Sequence, residues 1–241
     1  MPRKIIISKF GGTSVGNPLA LRKSAALSAK TGSSVIIVSA TSGTTNLIER
    51  LAKTVLQGNL DLSSNLVQEI IKKHQGMSEE LEVDDRTKKV MESIYIELET
   101  LAKGMTLLKE CSKKAMDGLY AIGERLSSTL FAAVLKQESS KLMVQLLDIR
   151  NVLKTDSCYG KAKPLLDEIK KNAQEKLLNE INNGTCFVTQ GFIGQTLNGD
   201  TTTLGRGGSD YSASLLAESL KAEVLEIWTD VAGIATTDPR L

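Results

Sequence analysis

The sequence predicts an α/β fold, a three-layer α/β/α sandwich with a mainly parallel sheet and a helical insertion. Strand and helix patterns alternate along the chain, which begins with a strand, a glycine loop, a helix and a second strand. A helix that crosses between two successive strands makes them parallel. From about residue 46 to about residue 138, apolar residues recur only at helical spacing.

The first βαβ unit has clear boundaries. Residues 5–8 are a short β-branched run that stops at a Gly-Gly pair. The Asn-Pro pair at residues 17–18 is typical of a helix N-cap and first helical residue, and the Thr-Gly pair at residues 31–32 ends that helix. Residues 35–38 are apolar throughout, which indicates a strand that is buried on both faces.

The insertion is predicted to be helical at residues 47–56, 62–74, 84–103 and 120–137. The single histidine, His74, lies at the polar end of the second segment, just before a glycine. We expect this imidazole to be solvated rather than catalytic. A Ser-His-Asp triad, a histidine-rich metal centre and a protein-kinase catalytic loop are therefore excluded.

The last third of the chain returns to alternating elements. We expect a strand at residues 143–149, a helix at 164–180, a strand at 186–190, a hairpin tip at 198–200, a helix at 209–220 and a strand at 224–228. No repeat or linker divides the chain. One domain is therefore expected over residues 1–241, with the insertion at about 46–138.

The composition is that of a folded protein without a nucleic-acid or membrane signature. The 241 residues are 41% hydrophobic and 24% charged, with a net charge of +2. This balance argues against nucleic acid as a partner, and no apolar run approaches the roughly 20 residues that span a bilayer. The three cysteines lack the paired spacing of a zinc site, which favours reduced thiols and a cytoplasmic location.

Three glycine-rich loops, residues 9–14, 39–46 and 201–210, are candidates for ligand binding. In a parallel sheet such loops lie at the carboxyl edge, where glycine lets backbone N–H groups approach an anion closely. The alternative is that they are ordinary tight turns. A Walker phosphate loop and a complete dinucleotide-binding fingerprint are both absent from the sequence, which disfavours those two classes.

Charged residues within these loops suggest specific contacts. Lys9 ends the first strand, where its ammonium can reach a phosphoryl group in transfer; the alternative is a solvated lysine. Arg206 lies between glycines, and its guanidinium suits a carboxylate. Asp210 is either a helix-start residue that interacts with the helix dipole or an active-site acid near Lys9.

Two other positions also keep two interpretations. Glu124 lies in an otherwise apolar helix, where it pairs either with a substrate ammonium or, in a salt bridge, with Arg125 or another helix. Thr229 and Asp230 end the last predicted strand, as a nucleotide or metal contact or as turn residues.

Several of these strings resemble the motifs of aspartate kinases, in the amino acid kinase family. KFGGTSV at residues 9–15 is similar to the opening signature of those enzymes, and TTLGRGGSDY at 202–211 to a later block. Shorter matches are GE at 123–124, TQGF at 189–192, WTDV at 228–231 and TDPR at 237–240. The resemblance covers essentially the whole chain, in order.

The resemblance implies transfer of the γ-phosphoryl group of ATP, bound with Mg²⁺, to the β-carboxylate of L-aspartate. The product would be 4-phospho-L-aspartate, in the first step of lysine, threonine and methionine biosynthesis. Lys9 would neutralise charge on the transferring group, and Asp210 would orient Lys9. The implied substrate contacts are Ser39, Thr45, Phe192, Ser209, Glu124 to the ammonium and Arg206 to the α-carboxylate. The implied nucleotide contacts are Lys9, Gly11, Gly12, Ser14, Thr229, Asp230 and Arg240. We assign no metal-ligating residue and expect a homodimer.

The proposed acceptor explains the absence of a catalytic histidine. A free carboxylate has a pKa of about 4, so the nucleophile is already ionised at neutral pH and needs no general base. Catalysis then rests on positioning and on charge stabilisation.

The chain departs from the family pattern at two points. Ala235 stands where family members usually have a tyrosine, and the family continues beyond the point matching Leu241, through a further nucleotide-binding segment and ACT domains. We therefore expect this chain to be part of a longer enzyme, the alternative being a naturally short homologue. The other functions considered are a non-catalytic aspartate-binding module and a kinase for another carboxylate.

Overall fold

The computed structural model describes residues 4–229. Its strands are β1 (Ile6–Phe10), β2 (Val35–Val38), β3 (Met143–Leu147), β4 (Lys154–Thr155), β5 (Thr185–Gln190), β6 (Ile193–Thr196), β7 (Thr201–Thr203) and β8 (Val224–Trp228). Five of them form a central sheet in the order β3-β5-β2-β1-β8, and all neighbours in it are parallel.

Helices cover both faces of this sheet. They are α1 (Pro18–Thr31), α2 (Thr44–Val55), α3 (Leu60–Glu80), α4 (Asp85–Leu108), α5 (Lys113–Glu138), α6 (Leu166–Ala173), α7 (Asn179–Asn182) and α8 (Gly208–Leu220). A π-helical turn, Gln174–Leu178, joins α6 to α7. Within residues 4–229, no helix combines the length and the apolar character needed to cross a bilayer.

The predicted fold class is confirmed, because the sheet lies between two helical layers with separate apolar cores. Ile36 and Val38 of β2 face the core that contains α1 to α5, and Val35 and Ile37 face the core that contains α6 to α8. This division follows from the two-residue alternation of side chains along a strand. The fully apolar sequence of β2 is thereby explained, since both of its faces are buried.

The strand register brings four strand ends to one level. Phe10 of β1 is opposite Val38 of β2 and Trp228 of β8, and Val38 is opposite Gln190 of β5. The loops that follow these four strands therefore leave the sheet at the same carboxyl edge, which is where parallel α/β sheets bind ligands.

Local signals in the sequence placed most boundaries well. Asn17 caps α1, where its Oδ1 accepts a hydrogen bond from the backbone N–H of Ala20 at 2.9 Å. Gly32 ends α1 in the left-handed conformation, with φ of 69°. The predicted hairpin tip at 198–200 joins β6 to β7, which pair antiparallel.

Two predictions were wrong. Residues 201–203, assigned to a glycine-rich loop, form β7 in a second, three-stranded sheet with β4 and β6. His74, expected to be solvated at a helix end, is fully buried because α3 continues past Gly76 to Glu80. A glycine inside a helix costs only about 1 kcal/mol, and burial of Met77 beyond it favours continuation.

Candidate active site

The loops after β1 and β2 are in direct contact. Gly12 O accepts a hydrogen bond from the backbone N–H of Ser42 at 3.1 Å, and Phe10 O accepts one from Ser39 at 3.1 Å. A Cβ atom at Gly12 would lie only 2.9 Å from Ala40 O, a distance that real Cβ contacts do not show. Glycine at this position therefore permits the close approach of the two loops.

Lys9 and Asp210 form an ion pair where β1 meets α8. The Lys9 Nζ lies 2.7 Å from Asp210 Oδ1, and the Lys9 side chain is only 12% exposed. Asp210 belongs to the first turn of α8, so it is both a helix-start residue and an acid beside Lys9. A Cβ at Gly11 would lie 3.7 Å from the Lys9 ammonium, so the side chain lies against the first glycine loop.

Glu124 of α5 is a buried carboxylate that forms no salt bridge with any residue of the described range, 4–229. The residue is 6% exposed and accepts a hydrogen bond from the backbone N–H of Ala40, and its Oε2 has no hydrogen-bond partner within residues 4–229. Arg125, the alternative partner, instead binds Glu97 at 2.6 Å. Burial raises the pKa of Glu124 from its ordinary value of 4.5 to about 8, although the Ala40 hydrogen bond and the positive charge of Lys9 oppose that rise.

Close packing of α5 on the second loop determines where Glu124 lies. A Cβ at Gly123 would lie 3.1 Å from Thr44 Cγ2 and 3.2 Å from Ala40 Cβ. Because Gly123 has no side chain, the α5 backbone can come this near to the loop, and the next residue then reaches the Ala40 N–H.

The loop after β5 is packed against the start of α8. Phe192 has a φ of 68°, its backbone N–H donates to Ser212 Oγ at 3.0 Å, and its ring meets Tyr120 edge-on at 5.7 Å. A Cβ at Gly191 would lie 2.7 Å from Ser209 Cβ. Phe192 and Ser209 therefore lie at the same junction as Asp210, at the start of α8.

Arg206 is exposed in the loop between β7 and α8. It lies between Gly205 and Gly207, which have φ of 79° and 75°. These left-handed glycines turn the chain sharply at the N-terminus of α8. Within residues 4–229 the Arg206 guanidinium forms no salt bridge, which leaves it available for an anion.

The other predicted residues that lie within 4–229 are distributed along the same edge. Ser14 lies in a short 3₁₀ turn, Ser39 is half-buried, and Thr45 is exposed in the first turn of α2. Thr229 is exposed directly after β8, beside the β1 end. Asp230, Ala235 and Arg240 lie outside the described residues.

Sequence reasoning missed Asp117, a buried acid two helical turns before Glu124 on α5. Its carboxylate accepts hydrogen bonds from the backbone N–H groups of Gly160 at 2.9 Å and Thr203 at 3.1 Å and from the Thr203 hydroxyl at 2.7 Å. It anchors β7, which leads into the Arg206 loop. The seven-residue spacing from Glu124, which puts both acids on one helix face, is the signal that could have found it.

Sequence reasoning also missed two contacts from the insertion. Lys73 Nζ donates to Ser42 O and, at 3.0 Å, to Thr44 Oγ1. His74 Nε2 lies 3.2 Å from Thr41 Oγ1. Helix α3 therefore binds the loop after β2, in addition to the contacts that α5 makes with it.

Comparisons with known proteins identify the family and the fold of the chain. The model of the amino acid kinase family matches residues 4–241. The chain is 37% identical over 99% of its length to lysine-sensitive aspartokinase 3 of Escherichia coli strain K12 and 34% identical over 98% of its length to an aspartokinase of Chlamydia muridarum. It covers 51% and 50% of those proteins, so it spans about half the length of the curated relatives it matches. A crystal structure of E. coli aspartokinase III in complex with aspartate and ADP superimposes with a TM-score of 0.90 at 36% identity, over 98% of this chain and 52% of that one.

Proposed function

Since this chain belongs to the amino acid kinase family, we propose that it carries the amino-acid-binding part of an aspartate kinase. The reaction transfers the γ-phosphoryl group of ATP to the β-carboxylate of L-aspartate and yields 4-phospho-L-aspartate and ADP. This is the first step in the synthesis of lysine, threonine and methionine. The aspartate and ADP bound to the E. coli relative support this assignment.

The observation that carries the proposal is the buried Glu124 oxygen near Lys9, which has no hydrogen-bond partner among the described residues. A buried carboxylate without a cation is costly, and a cationic ligand group removes that cost. The α-ammonium of an amino acid supplies such a group, while the exposed guanidinium of Arg206 suits its α-carboxylate. Ser39, Thr45, Phe192 and Ser209 complete the proposed pocket around the β-carboxylate.

Lys9 is proposed to act on the phosphoryl group in flight. The β-carboxylate attacks phosphorus without losing a proton, so the site must supply charge stabilisation rather than a base. A nearly buried ammonium, oriented by Asp210, is suited to that role because its interactions are stronger away from water.

The nucleotide is proposed to bind along the same edge. Its contacts would come from the backbone of Gly11 and Gly12, from Ser14, and from Thr229, Asp230 and Arg240. Among residues 4–229, no three His, Cys, Asp or Glu side chains are arranged to hold a metal ion. We propose that Mg²⁺ enters with ATP as part of the substrate. A homodimer and a cytoplasmic location remain part of the proposal.

Replacement of Lys9 tests the reaction. In a coupled assay of ADP formation, Lys9→Ala should lower kcat by about 10²–10³-fold with the KM for aspartate little changed. Lys23→Ala, at an exposed position on α1, is the matched control. Near wild-type turnover in Lys9→Ala would contradict the role of Lys9.

Calorimetry separates the alternatives even if the chain alone turns over slowly. An aspartate kinase should bind both L-aspartate and MgATP, whereas an amino-acid-binding module should bind L-aspartate alone. Preference for another carboxylate in a substrate panel would identify a kinase of different specificity.

A further inference from the structure

We propose that His74 and Lys73 of α3 are positioning residues, which hold the loop 39–46 in the shape that binds the amino acid. The proposal rests on the proposed function for the identity of the ligand. It assigns to the helical insertion a direct role in shaping the substrate site.

The contacts form a continuous hydrogen-bond network. Thr41 Oγ1 lies 2.7 Å from Thr44 Oγ1 and 3.2 Å from His74 Nε2. His74 Nδ1 lies 2.8 Å from Ile70 O, and Lys73 Nζ lies 3.0 Å from Thr44 Oγ1. Thr41, Thr44 and His74 are all buried.

The groups at the two ends of this network, Ile70 O and Lys73 Nζ, determine the direction of its hydrogen bonds. Ile70 O can only accept, so His74 carries its proton on Nδ1 and presents Nε2 as an acceptor. Lys73 can only donate, so Thr44 accepts from it. The Thr41 hydroxyl must then donate to His74 Nε2, and because its only hydrogen is used there, Thr44 must donate in the hydrogen bond between Thr41 and Thr44. Burial keeps the imidazole neutral, with a pKa of about 4.

These hydrogen bonds matter for the site because the loop 39–46, which they hold in place, makes two other contacts. The Ala40 N–H donates to the Glu124 carboxylate, and the Ser42 N–H donates to Gly12 O. A loop that lost its hold on α3 would therefore disturb both the proposed ammonium site and the first glycine loop. Thr45, a proposed substrate contact, directly follows Thr44.

A pair of substitutions at position 74 isolates the hydrogen bond. His74→Gln keeps an acceptor near the position of Nε2, and His74→Leu fills the space without one. We expect the dissociation constant of L-aspartate, measured by titration calorimetry, to rise about five- to a hundredfold in His74→Leu and to stay near the wild-type value in His74→Gln. Equal affinities in His74→Leu and the wild type would overturn the proposal.

Thr41→Val provides a milder test if His74→Leu folds poorly. The valine removes one hydroxyl at constant shape. Its effect on affinity should not add to that of His74→Leu, since both substitutions interrupt the same hydrogen-bond network. Additive effects would overturn the proposal. Lys73→Met should also weaken binding, and Lys72→Met, at the exposed neighbouring lysine, should not.

Hydrogen exchange of the ligand-free chain separates this proposal from the proposed function. Amides of residues 40–46 should exchange faster in His74→Leu and at the wild-type rate in His74→Gln. If the wild-type chain binds no L-aspartate, the proposed function fails, and the exchange rates alone then decide whether α3 positions the loop. Unchanged exchange in His74→Leu refutes the positioning role.

Discussion

Glu124→Gln offers the sharpest test of the site, because it replaces an ionisable group with a neutral one of the same size. The wild-type carboxyl is buried, has one hydrogen bond from Ala40 N–H, and has its pKa raised to about 8. In the unfolded chain the same group returns to its ordinary value of 4.5. Protonation of Glu124 is therefore coupled to folding.

The sign of the effect follows from proton counting. Between these two pKa values the folded protein holds a proton on Glu124 that the unfolded chain does not, so unfolding releases a proton. The contribution of Glu124 to the free energy of unfolding is fully present below its unfolded-state pKa of 4.5. It is lost as the pH rises towards the folded-state pKa of about 8. The loss is about 1.4 kcal/mol per pH unit, or about 3 kcal/mol between pH 5.5 and 7.5.

The assay is urea unfolding of wild type and Glu124→Gln at several pH values. We expect the difference between their unfolding free energies to change with this slope. Glu218→Gln, at an exposed position on α8, controls for loss of a surface charge and should follow the wild type. Parallel pH profiles for wild type and Glu124→Gln would show that Glu124 is ionised in the folded protein and would refute the reasoning.

Aspartate binding supplies a second measurement on the same group. Pairing with the ligand ammonium favours the ionised form of Glu124 over the protonated form. Binding of L-aspartate at pH 7 should therefore release roughly nine-tenths of a proton from Glu124. Calorimetry in two buffers of different ionisation enthalpy measures that number. In Glu124→Gln the release should vanish and the dissociation constant should rise about ten- to a hundredfold.

Two further predictions concern backbone geometry and buried hydrogen bonds. Gly12→Ala should destabilise the protein by about 1–3 kcal/mol, because its Cβ would meet Ala40 O at 2.9 Å, whereas Gly76→Ala, with open space in α3, should stabilise it by up to about 1 kcal/mol; urea unfolding of the two variants checks both signs. Asp117→Ala should cost about 3 kcal/mol in the same measurement, since it leaves the N–H groups of Gly160 and Thr203 unpaired, and Asp117→Asn should recover part of that loss.

Sequence patterns predicted correctly those helices and strands that are defined by a few neighbouring residues. The cap at Asn17 and the apolar run of β2 each lie within a few residues of the element they define. The position of the loops after β1 and β2 at one edge of the sheet was also predicted, since the carboxyl ends of parallel strands share one edge.

The errors came from interactions between distant residues. Residues 201–203 have too short a pattern to indicate a strand, and β7 forms because β6 and Asp117 satisfy its backbone. His74 looks like a helix-end residue in sequence, but α3 continues beyond it, and in its buried position the distant Thr41, in the loop after β2, satisfies its Nε2.

The sequence alone determined the α/β class, the parallel βαβ start and the set of motifs that identify the family. Only the tertiary structure decided which charges meet: Lys9 with Asp210, Arg125 with Glu97, and Glu124 with no cation among the described residues. Periodicity and capping are properties of neighbouring residues, whereas an ion pair or an orphaned carboxylate depends on burial and on partners that are distant in the chain.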